Sequence, residues 1–316
     1  MTERLMLLDT ASLYFRAFHG VPDTVRAPDG TPVNAVRGLL DIVAKLVTDF
    51  TPTSLVACWD DAWRPTWRVA LLPGYKAHRV AERVGGVDIE QTPEGLVEQL
   101  PLIREVLEAL GIPIVGAADH EADDVIGTLV TRATTPIDVV TGDRDLFQLV
   151  SDAAGARIVY TAKGMSRLEL VTDDVILAKY GIRPAQYADF AVMRGDPSDG
   201  LPGVAGVGEK TAAGLLAEFG DLDGILDAAT DPGTPLAASL RSKILDAAEY
   251  LTVAPRVVEV VRDLDLAEVD AVLRPPADGQ RAEMLRLAEM WGLGGSADRV
   301  LKALGRTERT EPKGTS

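Results

Sequence analysis

Apolar runs that stop at an acidic residue recur along this chain, and they restrict the possible folds more than any other feature. A single Asp after a strand is a common turn residue, but several such runs ending in acids suggest a shared arrangement. Because the carboxyl ends of parallel strands meet at one edge of a sheet, we expect these acids to converge there. The acids that follow the three clearest runs are Asp9, Asp60, and the pair Asp143 and Asp145.

The spacing of these runs predicts an α/β fold for residues 1–185, with a mostly parallel sheet flanked by helices. Residues 186–290 are rich in Ala and Leu and are expected to form a helical region, and residues 291–316 a C-terminal helix and a flexible tail. Within 81–93, glycines and weak periodicity favour a mobile arch over a core element. The strands are expected near residues 4–9, 54–60, 112–115, 137–141 and 157–161.

A further acidic group opens an amphipathic helical pattern at residues 120–130. Glu121, Asp123 and Asp124 all fall in its first turn. Carboxylates at a helix start are ordinary caps, but three in four positions exceed what capping needs. A divalent cation would offset their mutual repulsion, and ligands that are only oxygens suit Mg²⁺ or Mn²⁺ and not zinc.

The segment from Gly195 to Thr211 places the carboxylates Asp196 and Asp199 beside a glycine-rich stretch. Its alternating glycines cannot continue a helix, so the chain should turn tightly and present backbone N–H groups ahead of a helix that begins near Lys210. Such groups fit a phosphate. The alternative is a glycine-rich loop between helices that binds nothing.

The formal net charge of −16 argues against a protein that binds nucleic acid through a generally basic surface. Any attraction for a phosphate backbone must therefore be local. The densest basic stretch contains Lys76 and Arg79, with Arg64, Arg68 and Arg83 nearby. A solvated basic face is the alternative interpretation.

The single cysteine, Cys58, lies in an apolar run, which favours a buried and inert thiol in a reducing compartment. The N-terminus lacks the succession of a signal peptide, and no apolar run reaches about 18 residues. We therefore expect a cytoplasmic protein that is neither exported nor inserted in a membrane.

Taken together, five motifs resemble the bacterial 5′ nuclease family, which comprises flap endonucleases and the 5′-3′ exonuclease domains that precede DNA polymerase I. They follow the family's order through most of the first two thirds of the chain. Phe15 departs from the usual Tyr and Gly200 from the usual Asn, and neither change removes a charged ligand. The motifs are LDTASLYFRAFHG (8–20), CWDDAWRPTWRVALLPGYKAHR (58–79), HEADDVIG (120–127), TGDRDLFQL (141–149) and GDPSDGLPGVAGVGEKTA (195–212).

The resemblance implies a PIN-like, mostly parallel sheet, a helical arch at about 68–95, and a helix-hairpin-helix-type (H3TH) motif at 201–211 within the helical region. It assigns scissile-phosphate contacts, and hence catalytic roles, to Lys76 and Arg79. The residues it assigns to DNA binding are Arg16, Tyr75, Lys76, Arg79, Gly203, Gly206, Gly208, Lys210 and Thr211. The metal-binding carboxylates it implies are Asp9, Asp60, Glu121, Asp123, Asp124, Asp143, Asp145, Asp196 and Asp199.

The activity implied is hydrolysis of DNA phosphodiesters at branched substrates that carry a 5′ single-stranded arm, by a two-metal mechanism. The cofactors implied are two or three Mg²⁺ or Mn²⁺ ions, with K⁺ at the hairpin. The partners are 5′-flap, nicked or gapped duplex DNA, acted on by a monomer near the nucleoid in cooperation with a separate polymerase and ligase. The chain ends at Ser316, which would leave no room for a polymerase domain.

Two other functions remain open at this level. A non-enzymatic module could recognise branched DNA and use metal only for folding or docking. A metal-dependent ribonuclease could share the acidic strand ends, but it would not need the hairpin. Cleavage of a 5′-flap DNA with and without Mn²⁺ would separate all three.

Overall fold

A six-stranded sheet forms the centre of the protein in a computed structural model that describes residues 3–306. Its strands lie in the order β5-β2-β1-β6-β7-β8, and every pair is parallel except β7 with β8. This confirms the α/β fold class and all five expected strands; β8 was not expected. The strands are β1 Leu5–Asp9, β2 Ser54–Cys58, β3 Val80–Val84, β4 Val87–Glu90, β5 Ile114–Val115, β6 Ile137–Thr141, β7 Ala156–Tyr160 and β8 Glu169–Val171.

Helices cover both faces of the sheet and form most of the region that follows β8 up to residue 306. The α-helices are α1 Thr10–Gly20, α2 Asn34–Phe50, α3 Thr66–Leu71, α4 Glu94–Val97, α5 Leu100–Ala109, α6 Ala122–Arg132, α7 Asp173–Tyr180, α8 Tyr187–Arg194, α9 Glu209–Phe219, α10 Leu222–Thr230, α11 Ala238–Asp246, α12 Ala248–Val258, α13 Asp278–Met290 and α14 Gly294–Leu304. None of the helices within residues 3–306 is long and apolar enough to cross a bilayer.

The central strands are apolar on both faces because each face packs against helices. On β1, Leu7 joins the core under α6 and α8, whereas Met6 and Leu8 join the core under α1, α2 and α5. All three side chains are at most 1% exposed. The unbroken apolar runs in the sequence follow from this double burial.

The C-terminal helix α14 packs on the α/β part of the molecule, against α2. Val300 and Leu301 belong to the same hydrophobic cluster as Leu39 and Leu40 of α2. Before it, the chain runs beside β2, where the Leu55 N–H donates to the Ala271 carbonyl at 2.9 Å. The predicted helix is therefore present. The predicted flexible tail falls almost entirely on residues 307–316, which lie outside the described residues.

The predicted helical arch requires correction, because its central part is a β-hairpin. Antiparallel strands β3 and β4 follow a single 3₁₀ turn at Ala77–Arg79, while helical turns occur only at α3 and α4. Gly85 and Gly86 connect the strands with φ of +58° and +90°. A two-residue turn with both φ values positive is the favoured hairpin connection, so this glycine pair determines the local structure.

Candidate metal-dependent nuclease site

The carboxyl end of β1 provides the centre of the acidic site. Asp9 ends the strand and caps α1, where its Oδ1 accepts a hydrogen bond from the Ser12 N–H at 3.1 Å. Its Oδ2 accepts from the Thr141 hydroxyl at the end of β6, at 2.6 Å. The carboxylate is thus fixed between adjacent parallel strands at the edge where ligands of open α/β sheets bind.

The neighbouring strand β2 brings a second acid to the same edge. Asp60 follows the strand, and its Oδ1 accepts from the Ala122 N–H at 2.6 Å. Ala122 begins α6, so this bond places Glu121 and Asp123 beside the strand ends. The acids at 121 and 123 therefore reach the site through the start of a helix.

Five of the nine predicted acids line one cleft of about 510 Å³. Lys76 and Arg79 line the same cleft, as do Trp63 and Ile89. The five acids are Asp9, Asp60, Glu121, Asp123 and Asp143.

Three more acids lie close enough to affect this cleft electrostatically. Burial raises the pKa of Asp145 well above its ordinary value, and the charges of Asp143, Asp199 and Asp196 raise it further. Burial likewise raises the pKa of Asp199 to about 6, although Lys76 opposes the shift. Asp145, Asp196 and Asp199 thus extend the acidic group on the side of Asp143.

Like-charge repulsion and burial make the metal-free cleft costly to ionise. Burial raises the pKa of Asp9 to about 6, with a smaller contribution from Asp143. Asp60 retains some exposed surface, yet protein atoms surround its carboxyl group, and burial together with Glu121 raises its pKa to about 7. The pKa of Asp123 is raised well above its usual range by burial and then by Asp9. These are the shifts expected where several carboxylates share a poorly solvated space.

The ninth acid, Asp124, is separated from this group. It is fully buried, and the Arg68 guanidinium donates to both its oxygens at 2.7 Å. Oδ1 also accepts from the Val261 N–H at 2.9 Å, and Oδ2 from the Glu121 N–H at 3.3 Å. A carboxylate has about four acceptor positions, and four donors already use those of Asp124. We therefore leave Asp124 out of the candidate ligand set.

The remaining eight acids fit a hard divalent cation by their chemistry. Within residues 3–306, no three acidic, histidine or cysteine side chains already surround a common point as ion ligands do. Several of these carboxylates instead accept hydrogen bonds or pair with cations, as Glu121 does with Lys76. The donors are all oxygens, and the raised pKa values of five of these acids indicate a site that positive charge would stabilise. The five are Asp9, Asp60, Asp123, Asp145 and Asp199.

Lys76 and Arg79 attach the base of the arch to the loop that carries Asp199. The Lys76 N–H donates to the Asp199 carbonyl at 3.0 Å, and its ammonium pairs with Glu121. Burial disfavours the charged ammonium, but the charges of Glu121 and Asp199 raise the pKa of Lys76 well above its usual value. Arg79 Nη2 donates to the Ser198 carbonyl at 2.6 Å and to Asp199 at 3.2 Å. Both cations therefore lie beside the acids.

The glycine at position 200 has a local explanation. Its φ is +74°, and a Cβ atom there would lie 2.3 Å from the Gly74 carbonyl oxygen. The close approach of these two backbones joins the acidic loop to the arch, which accounts for the glycine at position 200.

Tyr75 and Arg16 occupy different surroundings from Lys76. Tyr75 is 4% exposed, and its hydroxyl donates to Glu121 Oε2 at 2.6 Å. Arg16 lines a second cavity, of about 800 Å³, across α1 from the acids. Its buried Nε has no hydrogen-bond partner in the described part of the chain. Ser12 lines both cavities, so Arg16 stands near the acidic cleft without lining it.

The predicted hairpin turns between α8 and α9. Gly203 and Gly206 have φ of +67° and +72°, and Gly208 precedes the first residue of α9. A Cβ on Gly203 would lie 2.6 Å from the Gly195 N atom, so this glycine is needed for packing. Gly208, by contrast, has open space around it, as an exposed helix N-terminus requires if a ligand is to approach. Lys210 is exposed in the first turn, with Thr211 next to it.

Sequence reasoning missed the roles of three arginines. Arg68 is buried beneath the site, and Arg64 braces the arch by donating to the Tyr75 carbonyl at 2.6 Å. Arg194 Nη2 donates to Asp196 at 3.0 Å. Arg64 and Arg68 were visible only as members of a basic stretch, because their partners are distant in sequence.

The raised pKa of Asp60 predicts a pH-dependent stability difference between the parent and Asp60→Asn. The ordinary Asp value is 3.8 and the folded value is about 7, so between these pH values the folded parent binds more protons than the unfolded chain. Its stability contribution from Asp60 therefore falls as pH rises through this window. In EDTA, the melting temperature of the variant relative to the parent should rise by several degrees from pH 4 to pH 8. A difference that stays constant would contradict the shift.

Two family models match adjoining parts of the chain. The 5′-3′ exonuclease N-terminal resolvase-like domain matches residues 4–181, and the 5′-3′ exonuclease C-terminal SAM fold matches residues 182–279. A 5′-3′ exonuclease of Streptomyces coelicolor is 58% identical over 300 residues, covering 95% of this chain and 99% of the relative. A 5′-3′ exonuclease of Mycobacterium tuberculosis is 47% identical over 315 residues, covering 96% and 98%.

Solved structures show the same fold at low sequence identity. A complex of the bacteriophage T5 flap endonuclease with DNA and metal ions has a TM-score of 0.64 at 16% identity, covering 96% of this chain and 99% of that one. The fold agrees with the family models, and together they span both the sheet and the helical region. The chain therefore belongs to the 5′-3′ exonuclease family.

Proposed function

We propose that this exonuclease hydrolyses branched DNA that carries a 5′ single-stranded arm, acting on 5′ flaps and on nicked or gapped duplexes. One observation carries the proposal: the acids at the strand ends share a single cleft with Lys76 and Arg79, and the arch hairpin borders that cleft. A single-stranded arm fits an opening of this kind. The neighbour solved with DNA and metal ions is a flap endonuclease, which supports this substrate class.

Two or three Mg²⁺ or Mn²⁺ ions would be held by the eight acids of the cleft and its extension. The residues proposed as ligands are Asp9, Asp60, Glu121, Asp123, Asp143, Asp145, Asp196 and Asp199. When bound, such ions supply an activated water and offset the negative charge that develops during phosphodiester hydrolysis. No protein nucleophile is required.

Lys76 and Arg79 would orient the scissile phosphate in this scheme. Their side chains end beside Glu121 and Asp199, so a phosphate held by them would lie next to the proposed ion ligands. Positively charged donors fixed before the reaction stabilise the added charge of the transition state with little reorganisation. Arg16 would contact the DNA from the neighbouring cavity, and Tyr75 would act by holding Glu121.

The hairpin at 201–211 would hold the duplex backbone without reading bases, with K⁺ as a further ion there. Gly206, Gly208, Lys210 and Thr211 would approach the phosphates, while Gly203 preserves the turn. Binding through backbone phosphates gives specificity for structure and not for sequence.

Because its surroundings are open, Gly208 is the best position at which to test whether this hairpin binds the duplex backbone. Gly208→Val adds a Cβ that would have no atom within 4 Å apart from its chain neighbours, at an ordinary φ of −99°. The fold should persist, but close phosphate approach should be blocked, and duplex binding should weaken by about 10-fold through loss of a charge-assisted contact. Gly214→Val, on an exposed and equally open position of α9, is the matched control. Unchanged binding of flap DNA by a folded Gly208→Val protein would exclude the hairpin at 201–211 as the element that binds the duplex.

The proposal also covers the roles of the two domains, the oligomeric state, the location and the partners of the protein. Residues 1–185 would form the nuclease domain and 186–290 the DNA-binding region. The protein would act as a monomer in the cytoplasm at the nucleoid, where a separate polymerase and ligase would fill and seal the gap it leaves.

A substrate panel tests the proposed function. The parent protein and Mn²⁺ should cleave a 5′-flap DNA at least about 10-fold faster than a blunt duplex or a single-stranded RNA of the same sequence. Binding to flap DNA without cleavage would support the non-enzymatic alternative. Faster cleavage of the RNA would support the ribonuclease.

A further inference from the structure

Arg68 is the most completely engaged cation in the vicinity of the acidic cleft. It is 2% exposed, and all five of its N–H donors have a partner. Two donate to Asp124 and one to Glu121 Oε2, at 3.0 Å. The other two reach the carbonyls of Val257, at 2.9 Å, and Glu259, at 3.4 Å.

These contacts join three parts of the chain at one point. Arg68 belongs to α3 at the base of the arch, Glu121 and Asp124 belong to the start of α6, and Val257 and Glu259 lie at the end of α12 in the helical region. Asp124 strengthens the same junction by accepting from the Val261 N–H. The guanidinium also stacks on the Trp67 ring, 4.4 Å from its centroid, which further fixes its plane.

The two oxygens of Glu121 are consequently unequal. Oε2 accepts from Arg68 and from the Tyr75 hydroxyl, and both donors are buried. Oε1 pairs with Lys76, which lines the open cleft. Oε2 is thus fixed by protein groups, while Oε1 is directed at the space where substrate and ions would enter.

We propose that Arg68 is a positioning residue that holds Glu121 Oε2 so that only Oε1 serves the reaction, and that Asp124 anchors Arg68 instead of binding an ion. This inference rests on the proposed function of the cleft. It assigns the acid pair Asp123 and Asp124 to different tasks, although they are adjacent in sequence. It also makes the end of α12 part of the support of the catalytic edge.

Counting bound Mn²⁺ by electron paramagnetic resonance tests the role of Asp124 without any cleavage. Asp124→Asn should retain the parent's number of ions with affinity within about 3-fold, whereas Asp123→Asn should lose an ion or at least 10-fold in affinity. Because Asp124→Asn leaves a buried guanidinium partly unpaired and could unfold, the double variant Arg68→Met with Asp124→Leu is measured too, since it removes both charges together. Loss of an ion in folded Asp124→Asn, or in the folded double variant, would overturn the proposal.

Arg68→Lys tests positioning, because it keeps the charge but not the planar set of five donors. Its single-turnover cleavage of flap DNA should fall at least 10-fold, with the DNA Kd within 2-fold of the parent. Arg299→Lys is the matched control, because Arg299 makes a similar two-point contact with Asp41 at 2.8 and 2.9 Å on the surface. A merely structural Arg68 would lower the melting temperature and leave the rate at 20 °C unchanged, and that result would overturn the proposal. The double variant should show the same loss of rate, so the test survives if Arg68→Lys does not fold.

An inactive parent protein would count against the proposed function and not against this inference. The Mn²⁺ count remains decisive in that case, because it needs no DNA.

Discussion

Replacing Asp123 or Asp143 with alanine is expected to lower the single-turnover rate of flap cleavage by about 1,000-fold or more. Each is a proposed ligand in the shared cleft, and weakening an ion that supplies several kcal/mol of transition-state stabilisation costs at least about 4 kcal/mol, or roughly 1,000-fold. The measurement is a single-turnover time course at saturating enzyme with Mn²⁺ and one 5′-flap substrate.

The same variants should keep their fold. Asp123 is surrounded by other carboxylates, so its removal relieves repulsion in the metal-free protein, and the melting temperature in EDTA should hold steady or rise. Asp61→Ala is the control, since Asp61 is an exposed acid that lines the same cleft outside the proposed set. A large fall in melting temperature would assign Asp123 and Asp143 to structural hydrogen bonds. An equal loss of rate in Asp61→Ala would indicate a general charge effect.

Lys76→Ala and Arg79→Ala should each slow single-turnover cleavage by roughly 10- to 150-fold, because a lost charge-assisted phosphate contact costs about 1.5 to 3 kcal/mol. The affinity for flap DNA should change less than the rate, since these side chains lie at the acids and not at the proposed duplex-binding hairpin at 201–211. Quench-flow rates and equilibrium binding in Ca²⁺ separate the two effects.

Arg83→Ala is the matched control for this pair. Arg83 lies on the arch hairpin with its side chain 69% exposed, and its polar contacts among residues 3–306 stay within that hairpin, at Asp88 and Gly86. Arg64 is unsuitable as a control because it braces the arch. Near-parent rates for Lys76→Ala, Arg79→Ala and Arg83→Ala alike would refute a role for these cations at the scissile phosphate.

The strands and their acidic ends could be predicted because their signals are local. Doubly buried strands require continuous apolar runs, and the acid that ends each run marks the sheet edge. The family motifs then linked distant segments. Thus Asp9, Asp60, Glu121, Asp123 and Asp143 were identified before the cleft that joins them was visible.

The β-hairpin of the arch and the surroundings of Asp124 could not be predicted in the same way, for two physical reasons. From the sequence alone, the glycines within 81–93 favour a mobile arch, but Gly85 and Gly86 form a two-residue hairpin turn. Asp124 has the same side chain as Asp123 and sits one position later. What distinguishes it is its distant partners, Arg68, which lies 56 residues earlier in the chain, and the Val261 N–H. Such a partner is chosen by tertiary packing, which composition and spacing do not encode.

The most direct test of the account is metal removal and restoration on one flap substrate. After exhaustive EDTA treatment, single-turnover cleavage should fall below about 1% of the parent rate, and added Mn²⁺ or Mg²⁺ should restore it, because the eight acids of the cleft and its extension are proposed to act only through bound cations. Cleavage that persists undiminished in EDTA would contradict the account.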